Sequence, residues 1–269
     1  VDTVRNADAE EAYEGVAQAV LALQLSVAAV VGVDEAADSP KGNAANLGSA
    51  YVEQVVVVMQ ALFENAPTDR LRAQAISACH PLASQSEAQN LLTHLLLPYC
   101  AMDAPWRVLQ PAYAFLSCAN RKEALRIARQ HLFHNDPPAD GDAFVRRFFI
   151  LQALRREAPT TSLFGELLGV SPRDESEMVR DELVNGAVDQ IARTGSQPLA
   201  DRFLTYIGDS EEACERVRGH AVRQCVKALF STEPYRQMLL PHIHQAMTDP
   251  HGLVRRLAVE ALRRELHVN

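Results

Sequence analysis

The chain has 269 residues, 48% of them apolar, a net charge of −8, and only three lysines (Lys41, Lys122, Lys227) among 26 basic side chains. That balance argues against general affinity for nucleic acid, which needs a basic footprint, while the apolar share can fill one elongated domain or two compact ones. The five cysteines (Cys79, Cys100, Cys118, Cys214, Cys225) include no Cys-x-x-Cys pair, so they read as free thiols in a reducing, cytoplasmic compartment, and the arginine and alanine usage fits a GC-rich bacterial genome.

Residues 16–33 carry no charge but include Gln18, Gln24 and Ser26. At 18 residues this stretch falls short of a bilayer span, and it reads as a buried helix, with no membrane segment expected. Residues 32–46, with Pro40 and Gly42, follow as a loop. Residues 1–45 are therefore an N-terminal cap and residues 46–269 the body of the protein.

Along that body an apolar stripe recurs. It opens at Leu71, Val108, Val145, Val179, Val217 and Val254, at intervals of 37, 37, 34, 38 and 37 residues. Offsets 0, 4, 5 and 8 from each opening residue are apolar in every copy, the last being Cys79, Leu116, Ala153, Ala187, Cys225 and Leu262. These offsets lie on one face of a helix and fit no strand. Apolar helices are expected ahead of most stripes, over 46–64, 87–102, 123–133 and 235–247. Pro98 and Pro241 should kink two of them. The unit is helix, turn, helix, and units must stack to bury their stripes.

The last copy, Asp249-Pro-His-Gly-Leu-Val-Arg-Arg-Leu-Ala-Val-Glu-Ala-Leu262, resembles the HEAT-repeat family, and the likeness extends from Asn46 to Leu266. It implies an all-α, right-handed α-solenoid of about six HEAT-like repeats behind the helical cap. In that family an acid and an arginine form a ladder between repeats. Carried over, Asp140, Asp174, Glu212 and Asp249 would pair with Arg146, Arg180, Arg218 and Arg255. Ala66 stands in place of the first acid and Leu109 in place of the second arginine, so packing should carry more of the load at the front.

No phosphate-binding glycine loop, nucleophile elbow or paired cysteine motif is present. His131, His134 and Asp136 make the nearest approach to a ligand set, but a metal would want further rigid ligands, and ordinary polarity is the expectation. No metal, cofactor or catalytic residue is expected. An enzyme on a HEAT-like scaffold, DNA glycosylase-like or lyase-like, ranks third among the functional readings.

The first reading is a non-catalytic scaffold, adaptor or recognition domain for a protein or peptide. HEAT-like arrays commonly present their second helices on a concave face. The resemblance places Ser77, Gln110, Arg147, Asp181, Asn185, Arg223, Arg256, Glu260 and Arg263 there. Trp106 is either a binding anchor or packing between units. The alternative is nucleic-acid or phosphate binding through C-terminal arginines (Arg216, Arg218, Arg223, Arg255, Arg256, Arg263, Arg264), which a solvated charged face would equally explain. The chain opens with Val and stops after a second helix, as a fragment, a processed chain or a dimer through that uncapped end would.

Overall fold

The computed structural model describes residues 44–84, 86–133, 141–156, 160–170, 174–208, 212, 214–229, 233 and 235–267, with Gly15, Gln18 and Ala22. Those last three are helical and exposed, and residues 44–46, expected to end the loop, already belong to the helix that starts at Ala44; the rest of the expected cap, and His134, Asp136 and Asp140, lie outside the described residues. Among the described residues from Ala44 onward, twelve α-helices and two 3₁₀ turns follow one another, with no strand. No helix there is long and apolar enough to cross a membrane.

The chain divides into two compact units, residues 1–146 and 147–269. In the first, α1 (Ala44–Asn65) packs on α2 (Asp69–Ala78) and α3 (Ser86–Leu96), and α2 packs on α4 (Trp106–Ala119), which also carries α5 (Arg121–Leu132). Thr68 caps α2 by accepting from the Leu71 N–H, and Asp69 adds a charge to its first turn. Asn120 ends α4 with its own N–H on the Leu116 carbonyl at 2.8 Å. It also opens α5, its side chain accepting from the Glu123 N–H at 3.2 Å. One residue serving both helices makes the corner tight. Pro98 turns the end of α3 into a 3₁₀ turn over Leu97–Cys100, ending the expected helix early.

α6 (Ala143–Arg156) crosses the division of the chain. In the second unit α7 (Thr161–Leu168), α9 (Gln197–Gly208) and α11 (Tyr235–Met247) pack in series, and α8 (Glu177–Thr194), α10 (Glu215–Leu229) and α12 (Gly252–His267) stack beside them. α11 continues through Pro241. Gly186 sits where a Cβ would come within 2.3 Å of the buried Phe164 ring, so its bareness lets α7 lie close on α8. Gly195 ends α8 at φ 67°, and its N–H meets the Ile191 carbonyl at 2.9 Å.

The stripes of α2, α4, α8 and α10 are buried at every position, from Leu71 to Cys225. In α12 Val254 and Ala258 are buried while Val259 and Leu262 are half-buried. α6 departs from the expected register by one residue. Val145, Phe149 and Ala153 are only half-buried, and Arg146, Ile150, Leu151 and Leu154 form the buried face. Arg146 is 2% exposed and takes the place that valine or leucine holds in the other copies. Its Nη1 donates to the Ala104 carbonyl at 3.2 Å, the kind of partner a buried guanidinium requires.

Candidate partner-binding groove

The arginines after the stripe openings determine what the second helices leave free. Arg72, Arg180, Arg218 and Arg255 each donate to the carbonyl six residues back: Ala66, Asp174, Glu212 and Asp249. The acceptor is main chain, so Ala66 serves as well as an acid. Side chains then bridge onward. Arg147 meets Asp174 at 2.6 Å, Arg180 lies 3.0 Å from Glu212, and Arg218 meets Asp249 at 3.0 Å. The Arg180 Nε–H points off the line to the Glu212 oxygen, so that contact is Coulombic rather than a hydrogen bond. Glu212 also accepts from the Tyr206 hydroxyl and the Cys214 N–H. The rung to Asp174 is made by Arg147, which follows from the register shift of α6, while the expected pairing of Asp140 with Arg146 lies outside the described residues. That rung also corrects the placing of Arg147 on an open face: its side chain is 13% exposed and engaged.

Further positions expected to await a partner are occupied within the second unit. Arg216 meets Glu177 at 2.7 Å and stands 4.0 Å from Asp181. The Asn185 side-chain carbonyl lies 2.9 Å from His220 Nε2, and its amide donates to Glu182 at 3.2 Å. Glu182 faces Arg155 at 3.5 Å, and Arg155 also bridges to Asp189. Burial pushes the Asp181 carboxyl up, against the pull of His220 and Arg216. Burial pushes His220 down, and the charge of Asp181 opposes that. Arg255 donates to Pro250 as well, and Arg256 stands 3.8 Å from Glu260 one turn on. Arg223 and Arg263 are exposed. His131 is buried with Nε2 3.0 Å from the Cys100 carbonyl, which absorbs it into the core.

One concavity belongs to the first unit. It is a groove of about 780 Å³ between α2 and α4, lined by Arg70, Gln74, Ser77 and His80 from one side and Trp106, Arg107, Gln110 and Ala114 from the other. Trp106 and Gln110 are both half-buried in its wall. The Arg107 guanidinium lies over the Trp106 ring at 5.3 Å from its centroid, a cation–π contact that holds the ring in place. Among the described residues no carboxylate lines the groove. Two smaller clefts in the second unit, of about 560 and 480 Å³, are built around the Arg155–Asp189 and Arg218–Asp249 pairs; the first also holds Arg156 and Arg193, and Arg193 donates to the Arg155 and Arg156 carbonyls.

Arg70 and Arg107 were not among the expected site residues. Each stands one position before a stripe opening, 37 residues apart. That offset shares a helical face with offsets 2, 3 and 6, which is the signal that would have found them. Compared with known proteins, the chain matches no family model, and no curated protein matches it significantly.

Proposed function

We propose that the chain is a non-catalytic recognition module of the HEAT-like kind, an α-solenoid whose second helices offer a preformed surface to a protein or peptide. The groove between α2 and α4 carries this reading. It joins a clamped tryptophan to amide, hydroxyl and guanidinium groups on two rigid helices, the mixture found at interface hot spots. The engagement of Arg216, Arg218, Arg255 and Arg256 with acids or carbonyls of the chain itself supports a protein partner over phosphate binding at the C-terminal helices.

The test is capture from native lysate after nuclease treatment, comparing wild type with Trp106→Ala/Gln110→Ala and Arg223→Glu/Arg263→Glu. A protein kept by wild type and by the second variant, and lost with the first, is the expected result. Capture that ignores the Trp106 variant, or that nuclease abolishes, would remove the reading.

A further inference from the structure

We infer that the groove between α2 and α4 takes an acidic peptide, one that sets carboxylates on Arg70 and Arg107 and an apolar side chain against Trp106. The inference rests on the reading of that groove as the binding surface and adds the chemistry of the occupant.

Sign of charge is the first argument. The chain carries −8 overall, yet the described residues of the groove wall include two arginines and a histidine and no acid. Position is the second. Arg70 and Arg107 hold equivalent places on neighbouring second helices, so an extended segment lying across both helices meets one guanidinium from each. Availability is the third. Both are exposed, and among the described residues neither has a carboxylate partner. By contrast Arg72, Arg147 and Arg218 are each matched to an acid. A guanidinium fork matches a carboxylate with two parallel hydrogen bonds. Between the arginines, Ala73, Ala114 and the Trp106 ring give an apolar floor, while Gln74 and Gln110 can bond a peptide main chain. A polyanion such as nucleic acid draws its affinity from many phosphates in register, and two arginines on a strongly acidic chain do not provide that.

A phage-displayed random dodecapeptide library panned on the full chain tests this. Enrichment of Asp or Glu beside an aromatic or leucine is expected. The consensus peptide, made synthetically with a fluorescein label, is then measured by anisotropy. Arg70→Glu/Arg107→Glu should weaken it by roughly tenfold or more, since both charges change sign at a partly desolvated contact. Exchanging its acids for lysines should restore binding to that variant, and Arg70→Gln/Arg107→Gln should fall between. Both pairs of substitutions are on exposed positions, and thermal melts by circular dichroism confirm their folding. Selected peptides without acids, sensitive to Trp106→Ala but indifferent to the arginine variants, would overturn the inference and leave the groove reading standing. No peptide sensitive to Trp106→Ala would overturn both. Displacement of the peptide by a single-stranded oligothymidylate, with steep loss between low and physiological salt, would assign the groove to nucleic acid.

Discussion

The rung between Arg218 and Asp249 gives a quantity that can be checked. Arg218 Nε and Nη2 donate to the two Asp249 oxygens at 3.0 and 3.2 Å, and the side chains are only 15% and 13% exposed. Fully exposed pairs couple by about 0.2–1 kcal/mol, and breaking a fully buried one costs about 3–5 kcal/mol. This bidentate, mostly covered pair should therefore show a coupling of about 1.5–2.5 kcal/mol between those limits. Asp249→Ala also loses the Asp249 acceptor of the His251 N–H, 2.8 Å away, at a further cost of about 1 kcal/mol. Arg218→Met keeps the apolar stem while losing both the rung and the Glu212 carbonyl contact. Urea unfolding of wild type, both singles and the double, followed by far-UV circular dichroism, closes the cycle. A coupling under about 0.5 kcal/mol would mean the rung is no more than a surface pair. The cycle also has a pH signature. Burial raises the Asp249 carboxyl, but hydrogen bonds from Arg218 and the His251 N–H, with the charge of Arg218, outweigh it and hold it below the usual carboxylate range. A depressed acid stabilises the fold above its unfolded value of about 3.9 and loses that as pH falls through the folded value. The stability gap between wild type and Asp249→Asn should thus be flat above about pH 5 and close toward acid.

Other consequences can be measured on the same footing. Gly186→Ala drives a Cβ to 2.3 Å from the fully buried Phe164 ring, and should cost about 1–3 kcal/mol despite better helix propensity. Gly219→Ala meets only the half-buried Leu257 tip at 2.6 Å, so urea midpoints should show it near neutral. Val217→Asp places a carboxylate at a position with 0% exposure and should abolish the cooperative melt, whereas Arg223→Asp, on the exposed side of the same helix, should shift stability by no more than about 0.5 kcal/mol. An unaltered melt for Val217→Asp would show the α10 stripe to be misassigned. At pH 8 iodoacetamide should mark Cys118 first, since its thiol is exposed. Burial pushes the Cys100 thiol up to about 12 and raises Cys79 and Cys225 as well, so mass spectrometry should find these three modified only after unfolding.

The second helices were legible because their stripes repeat with helical phase, and four of them are buried at each position read from the sequence. α6 was misread by one residue because Phe144-Val145-Arg146-Arg147-Phe148-Phe149 has apolar residues on either side of its arginines. A rule that keeps charge off the core face selects Val145, and the structure buries Arg146 instead. α7 and α9 are short helices and carried no repeat spacing of their own. At the site, Gln110 was visible at an offset away from the core stripe, and Trp106 as a residue type that suits either an anchor or packing between units; the structure half-buries both. The engagement of Arg147, Asn185 and Arg216 was not, because it depends on partners 27, 35 and 39 residues away that no local pattern names.

The way each arginine divides its bonds has a consequence for how such a chain could be rearranged. Its bond to the carbonyl six residues back is satisfied at home, whatever side chain stands there. Its bond to the next acid is the only part that concerns a neighbour. The hairpin bearing Asp174 and Arg180 and the hairpin bearing Glu212 and Arg218 therefore each present an acid behind and an arginine ahead, the Arg218 contact bidentate and the Arg180 contact Coulombic. Either could follow itself or the other as a building block. The hairpin of α2 could not, because Arg72 spends its charge on Asp69 within its own helix and offers nothing to a successor.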